Sequence, residues 1–305
     1  MRNAFAKQIE ELAEQDSRVV LLMGDIGNRL FNSFRDRFPD RFYNAGVAEA
    51  NMVTMAAGMA AEGLRPYCYT IAPFVTARCY EQIKVDLGYH HQPVVLVGTG
   101  AGLSYAPLGA THHSLEDIAL MRTVPGMAIL CPGDTLELNS LLPQTLGLDC
   151  PAYVRLGKKG EPEVHQEVPS LKIGKAFTLM EGTDICLLNT GNMLAVSHDS
   201  AHLLEEYGHS VHLASMHSVN PMDRGFLERA FGRFKIVATI EEHGQAGGLG
   251  AVAAESYASE PGRSSRLLRF SAPDEFYHVT SNQTEARQYL GLTPECIAKK
   301  ISEQL

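Results

Sequence analysis

Short apolar runs, each followed by a segment of helical or polar character, recur along the whole chain and restrict its fold more than any other feature. Strands are expected near residues 18–23, 66–71, 93–97, 127–131 and 152–156, and again near 173–179, 185–189, 210–215, 235–240 and 266–270. Helical periodicity lies between them: Phe5, Ile9, Leu12 and Ala13 form one stripe, and helices are expected near 74–87, 194–207, 224–230, 248–259 and at the end. Ser114 with Asp117, and Asp134 with Glu137, read as capping boxes that start two more helices. Residues 28–42, polar and aromatic with Pro39, read as a loop. Apolar strands alternating with helices predict an α/β fold with mainly parallel sheets covered on both faces. The polar, proline-bearing stretch 157–172 reads as a linker. Two doubly wound domains are therefore expected, residues 1–165 and 172–305.

Charge and cysteine usage exclude some roles. The 305 residues carry a formal net charge of −9, which argues against a nucleic-acid or anionic-membrane surface. There is no apolar run of transmembrane length, and MRNAFAKQIEELAEQD is an amphipathic helix pattern instead of a signal peptide. The six cysteines are scattered with no CxxC pair, so reduced thiols and a cytoplasmic location are expected. The histidines lack helical spacing to an acidic third ligand, so no metal site made by this chain alone is expected. His90-His91 reads as a solvated pair.

The stretch with the most chemical promise is 44–63, NAGVAEANMVTMAAGMAAEG. It places one acid, Glu49, in an otherwise uncharged run that leads into a helix of Ala, Met and Gly. A buried carboxylate needs a partner or a raised pKa, which suits a group that shares a proton. Taken alone, Glu49 reads better as a first-turn acid complementing the helix dipole.

Glu49 is not alone. Together with LRPYCYTIAPF, LVGTGAGLS, GATHHSLEDIALMRTVPGMAILCPGD and IEEHGQAGGLG, this run resembles the transketolase family, in order and over essentially the whole chain. The resemblance is to the second half of a transketolase, the pyrimidine-binding domain plus the carboxy-terminal domain. It implies thiamine diphosphate as cofactor. Glu49 then matches the glutamate that hydrogen-bonds the aminopyrimidine ring and sets its imino tautomer. Phe74 matches the ring that stacks on the pyrimidine, with Ile71 and Asp25 as further cofactor contacts. His112, in the family's THQ position, matches a histidine that touches substrate oxygens. Arg2 and Lys158 match phosphate-binding positions, Lys158 standing where the family has arginine. Arg78 and Gln82 read as subunit contacts in preference to site residues. Glu241-Glu242-His243 and the glycines 247, 248 and 250 read as structural or interfacial, in preference to an anion site at a helix N-terminus.

What is missing matters as much. The family's GDG motif and following Asn, which hold Mg²⁺ and the diphosphate, have no counterpart. The nearest strings are Gly24-Asp25-Ile26-Gly27 and Gly133-Asp134-Thr135. The resemblance therefore implies a separate subunit that supplies this half and most of the Mg²⁺ ligands, in a heterotetramer with two copies of each chain. Two positions depart from the family. Gly100 replaces a histidine, and Leu108 replaces an aspartate that reads a sugar hydroxyl. Both put ordinary pentose phosphates in question and point to a modified sugar. The expected activity is transfer of a two-carbon ketol unit from a ketose to an aldehyde. The alternatives are the beta subunit of a 2-oxo acid dehydrogenase or decarboxylase, and a non-catalytic partner subunit.

Overall fold

The computed structural model describes residues 1–27, 29–259 and 263–305. Strands β1 (Val19–Met23), β2 (Phe42–Asn44), β3 (Arg65–Ile71), β4 (Val95–Thr99), β5 (Ala128–Leu130) and β6 (Ala152–Leu156) precede the polar stretch. Strands β7 (Phe177–Met180), β8 (Ile185–Asn189), β9 (Val211–Ser215), β10 (Ser218–Asn220), β11 (Ile236–Gly244) and β12 (Arg266–Ala272) follow it. Among the described residues they form two sheets, ordered β10-β5-β6-β4-β3-β1-β2 and β12-β11-β8-β9-β7. Only β10 and β7 run antiparallel to their neighbours, and both lie at sheet edges. The α/β reading with mainly parallel sheets thus holds. The central strands are buried along their whole length, because helices cover both faces. One face of the first sheet packs Met52, Val53 and Ala56 of the helix Glu49–Ala61. The other packs Phe5, Ile9 and Leu12 of the first helix.

Several expectations need correction. Asn28 lies outside the described residues, but 29–42 is not simply a loop. Phe31 and Phe34 are buried, and they anchor a short helix, Asn32–Arg37, ahead of β2. The expected helix over 74–87 is broken into short turns and a π-helical segment, Ile83–Tyr89. The strand expected at 173–179 begins only at Phe177, and β11 runs on through Glu241, Glu242 and His243. β10 has no forerunner in the sequence reading. It is three residues long, and it pairs with β5 of the first sheet although it lies beyond the polar stretch.

The two capping expectations divide. Asp134 accepts from the Glu137 N–H at 2.8 Å and caps the helix Thr135–Leu141. Ser114 does not cap that helix: its hydroxyl is buried without a partner among the described residues, and the helix starts at Asp117 after Glu116. Asp117 is instead fully buried and accepts from Arg155 Nε and from the Tyr153 hydroxyl, each at 2.7 Å. Burial pushes the Asp117 carboxyl up, but the Arg155 guanidinium, with help from His243 and Tyr153, outweighs it and holds the group below the usual carboxylate range. No helix among the described residues is long and apolar enough to cross a membrane.

Candidate active site

Parallel strands deliver their loops to one edge, and in open α/β sheets that carboxyl edge is where ligands bind. The candidate residues collect there. Gly24 and Asp25 follow β1, Glu49 follows β2, Phe74 follows β3, the loop from Gly100 to His112 follows β4, and Lys158 follows β6.

Glu49 is the first residue of its helix and is 2% exposed. Its Oε2 accepts from Arg78 Nη1 at 2.8 Å. The same guanidinium lies over the Phe74 ring, 4.1 Å from its centroid. Arg78 is thus a neighbour of Glu49 and Phe74 within this chain. The guanidinium is a flat, nitrogen-bearing group that lies on Phe74 and hydrogen-bonds the Glu49 carboxylate. Gly24 forms part of the floor, since a Cβ there would stand 3.0 Å from Thr70 Oγ1 and 3.3 Å from Glu49 Cγ. The Thr70 hydroxyl is buried with no partner among the described residues. Ile71 is buried at the end of β3. Asp25 stands apart: it is exposed, has φ 52°, and accepts from Asn44 Nδ2 at 2.9 Å.

His112 meets Phe74 edge-on, with ring centroids 5.1 Å apart. Tyr105 lies on another side at 5.9 Å. Burial, the neighbouring His113 and the Arg78 cation together lower the His112 pKa below its ordinary 6.5, so the ring is neutral at pH 7. Its Nδ1 is 2.9 Å from Thr111 Oγ1.

Tyr105 is the residue the sequence reading missed. Lys158 Nζ lies 4.5 Å from its ring centroid. Burial raises the Tyr105 pKa, with the nearby Arg2 pulling against it. Arg2 and Lys158 therefore converge on one aromatic ring. Tyr105 also accounts for Gly100, which has φ +86° and whose Cβ would lie 2.2 Å from Tyr105 Cε2. Tyrosine fills the space that a side chain at 100 would take. An aromatic five residues after a positive-φ glycine in a strand-end loop was the available signal. Leu108 is 52% exposed on a short 3-10 turn, so a substitution there meets solvent in this chain and is not a buried change. His90 and His91 are exposed.

The strings nearest to a diphosphate motif are engaged elsewhere. Asp134 caps its helix and also accepts from the backbone N–H groups of Val164 and His165. The Gly133 N–H donates to Glu137. Among the described residues, no group of three or more His, Cys, Asp or Glu is placed to hold a metal ion. Glu241 accepts from the N–H groups of Leu249 and Gly250 at 2.7 and 2.8 Å, so the chain's own carboxylate occupies the start of the helix Leu249–Ser259.

Comparison with known proteins gives the family. Residues 1–161 match the family described as transketolase, pyrimidine binding domain, and residues 174–297 match transketolase, C-terminal domain. The chain is 34% identical over 304 residues to a subunit of the apulose-4-phosphate transketolase of Phocaeicola vulgatus, covering 99% of this chain and 96% of that one. It is also 34% identical to the 6-deoxy-6-sulfo-D-fructose transketolase subunit SqwH of a Clostridium species, covering 84% and 80%. Among solved structures it resembles a split gene transketolase described as an inactive beta4 tetramer, with TM-score 0.91, 30% identity and coverage of 99% and 97%.

Proposed function

The chain belongs to the transketolase family, and from that premise we propose that it is the pyrimidine-binding half of a split transketolase, active only with a separate subunit that carries the diphosphate-binding half. It transfers a two-carbon ketol unit from a ketose donor to an aldehyde acceptor. The observation that carries this reading is the seat formed by Glu49 and Phe74 at the carboxyl edge of the sheet, with His112 against it. The family is thiamine-diphosphate dependent, and the seat fits the pyrimidine end of that cofactor: flat, apolar on one side, with a buried carboxylate on the other. Thiamine diphosphate, when bound, supplies the electron sink for the carbon–carbon chemistry.

The chain's own residues have separable tasks. Glu49 holds a proton at its carboxylate and shares it with the ring nitrogen. For that, the ring takes the place that the Arg78 guanidinium holds on Phe74. Phe74 and Ile71 exclude water from the ring, and Asp25 lies at the rim of the same edge. His112 hydrogen-bonds substrate oxygens, while Arg2 and Lys158 attract a phosphate. Mg²⁺ is held mainly by the partner subunit, because Asp134 is committed to capping. The relatives named for the ketose apulose 4-phosphate and for a sulfonated deoxyketose favour a modified sugar here too, as do Gly100 and Leu108. The first test is to mix the chain with its partner subunit and follow the products. Two-carbon transfer between sugars supports the proposal, and CO₂ release from a 2-oxo acid would replace it with the decarboxylase reading.

Two outcomes are expected of the assembled enzyme. The acid limb of kcat/KM should report a group titrating below 6.5, the ordinary histidine value, because His112 stays neutral further into acid. A pH profile whose acid limb lies above 6.5 would assign that limb to another group. Leu108→Asp should move donor preference toward xylulose 5-phosphate and away from apulose 4-phosphate. A hydrogen bond to a charged group is worth about 1.5–3 kcal/mol, so the ratio of catalytic efficiencies should change by about tenfold or more. Wild-type enzyme that already prefers xylulose 5-phosphate would remove Leu108 as the selecting residue.

A further inference from the structure

His112 does not reach the site on a free loop. Residues 102–114 close on themselves where the Ser114 N–H donates to the Gly102 carbonyl at 2.9 Å. Within the loop, His112 and Tyr105 stand against each other, and His113 Nε2 lies 3.1 Å from the Ala106 carbonyl. The closed base of the loop meets Glu242, which comes from β11 of the other sheet and is fully buried. Glu242 Oε1 accepts from the Leu103 N–H at 2.6 Å, from Asn192 Nδ2 at 3.1 Å and from Gln283 Nε2 at 2.8 Å. Its Oε2 accepts from Arg287 Nε. Gly102 has φ +60°, and a Cβ there would stand 2.3 Å from Glu242 Oε1, so only glycine admits the carboxylate. Arg155 holds the opposite side, donating from Nη2 to the Ser114 carbonyl at 2.9 Å and to the Glu242 carbonyl at 3.0 Å.

We propose that Glu242 is a positioning residue for the reaction: through Leu103 it fixes the base of the loop that presents His112 and Tyr105 to the substrate. The second sheet thereby sets the geometry of a site built on the first. This rests on the reading that His112 contacts substrate. A buried carboxylate with four donors is rigid, because moving any donor leaves uncompensated charge. Leu103 is two residues from Tyr105, so a shift at the clamp passes directly to the rings. Glu49 and Phe74 lie on other segments and do not share it.

The test uses the complex assembled with its partner subunit. Glu242→Gln turns one oxygen into a donor facing the donors of Gln283 and Arg287, and should lower kcat/KM for the sugar about tenfold or more. The Kd for thiamine diphosphate, measured by calorimetry, should stay within about twofold. The acid limb of the pH profile should move up toward 6.5, because His112 drifts from the neighbours that depress it. Gln283→Ala keeps the charge and the Leu103 bond, and should show the same pattern at about tenfold, the low end for a hydrogen bond to a charged group. It serves if Glu242→Gln does not fold. Arg122→Ala is the control: it breaks another contact between the sheets, to the Gly247 carbonyl and Glu255, away from the loop. It should lower Tm without moving the acid limb. Clamp variants that lower only Tm, or that lose cofactor and sugar affinity together, overturn the proposal. His112→Asn with unchanged kcat/KM would instead overturn the reading of His112, and the clamp's catalytic meaning with it.

Discussion

Glu49→Gln should lower turnover of the assembled enzyme by about 10²-fold or more, the usual worth of a positioned proton-transfer group. Glutamine keeps the size and shape of the side chain and still reaches the seat over Gly24 and Thr70. It cannot exchange a proton readily. It also removes the ionic partner of Arg78, so the guanidinium loses its reason to rest on Phe74. Cofactor affinity should therefore change far less than turnover, because Arg78 competes less for the seat while the hydrogen bond to the ring weakens. The direct readout is hydrogen–deuterium exchange at the thiazolium carbon of the bound cofactor, followed beside steady-state turnover. Near-normal exchange in the variant would count decisively against this role for Glu49. Loss of affinity equal to the loss of turnover would mark Glu49 as a binding group only.

Local structure was legible in the sequence where a residue's role is local and its type is diagnostic. A lone acid in an uncharged run had to be buried, and Glu49 is 2% exposed. The aspartate of Asp134-x-x-Glu137 caps its helix as the local pattern requires. The alternation of strands and helices gave the two parallel sheets because full burial leaves no room for an alternating pattern. What was not legible depends on partners distant in the chain. Ser114 and Asp117 have the spacing of a cap, but Asp117 lies where Arg155 and Tyr153 arrive from β6, and an ion pair inside the protein outcompetes a local N–H. The contact of Arg78 with Glu49 was hidden because their distance is set by the path of the chain between β2 and the turn after β3. β10 is three residues long, too short for any periodicity, and only its pairing with β5 defines it. Tyr105 was hidden because its meaning comes from the void over Gly100. The Glu242 clamp was hidden for a similar reason: Gly102 and Glu242 are neighbours only once both sheets have formed.

The chain purified without a partner should show no turnover at all, the largest effect expected here. On the proposed function, Glu49 and Phe74 seat the pyrimidine end of the cofactor and the partner subunit supplies the diphosphate site. Asp134 is fixed by three backbone N–H donors, so it cannot turn to a metal without undoing a helix cap. Holding a ring by stacking and one hydrogen bond, with the anionic end in water, gives weak binding, because the ordering cost is met by too few contacts. The surface is consistent with a missing neighbour: Val47 and Tyr89 are 78% and 79% exposed, and the helix Glu49–Ala61 leaves Asn51, Thr54, Gly58 and Ala61 on an outer face that another backbone can approach closely. Such a surface is open to pairing with copies of the same chain, and one split gene transketolase of known structure is described as an inactive beta4 tetramer. Light scattering should show self-association of the isolated chain. Addition of the partner subunit should convert it to a complex with two copies of each chain, with activity rising in proportion to that conversion. Turnover by this polypeptide alone, given thiamine diphosphate and Mg²⁺, would show that it holds the diphosphate itself and would sink the split assignment.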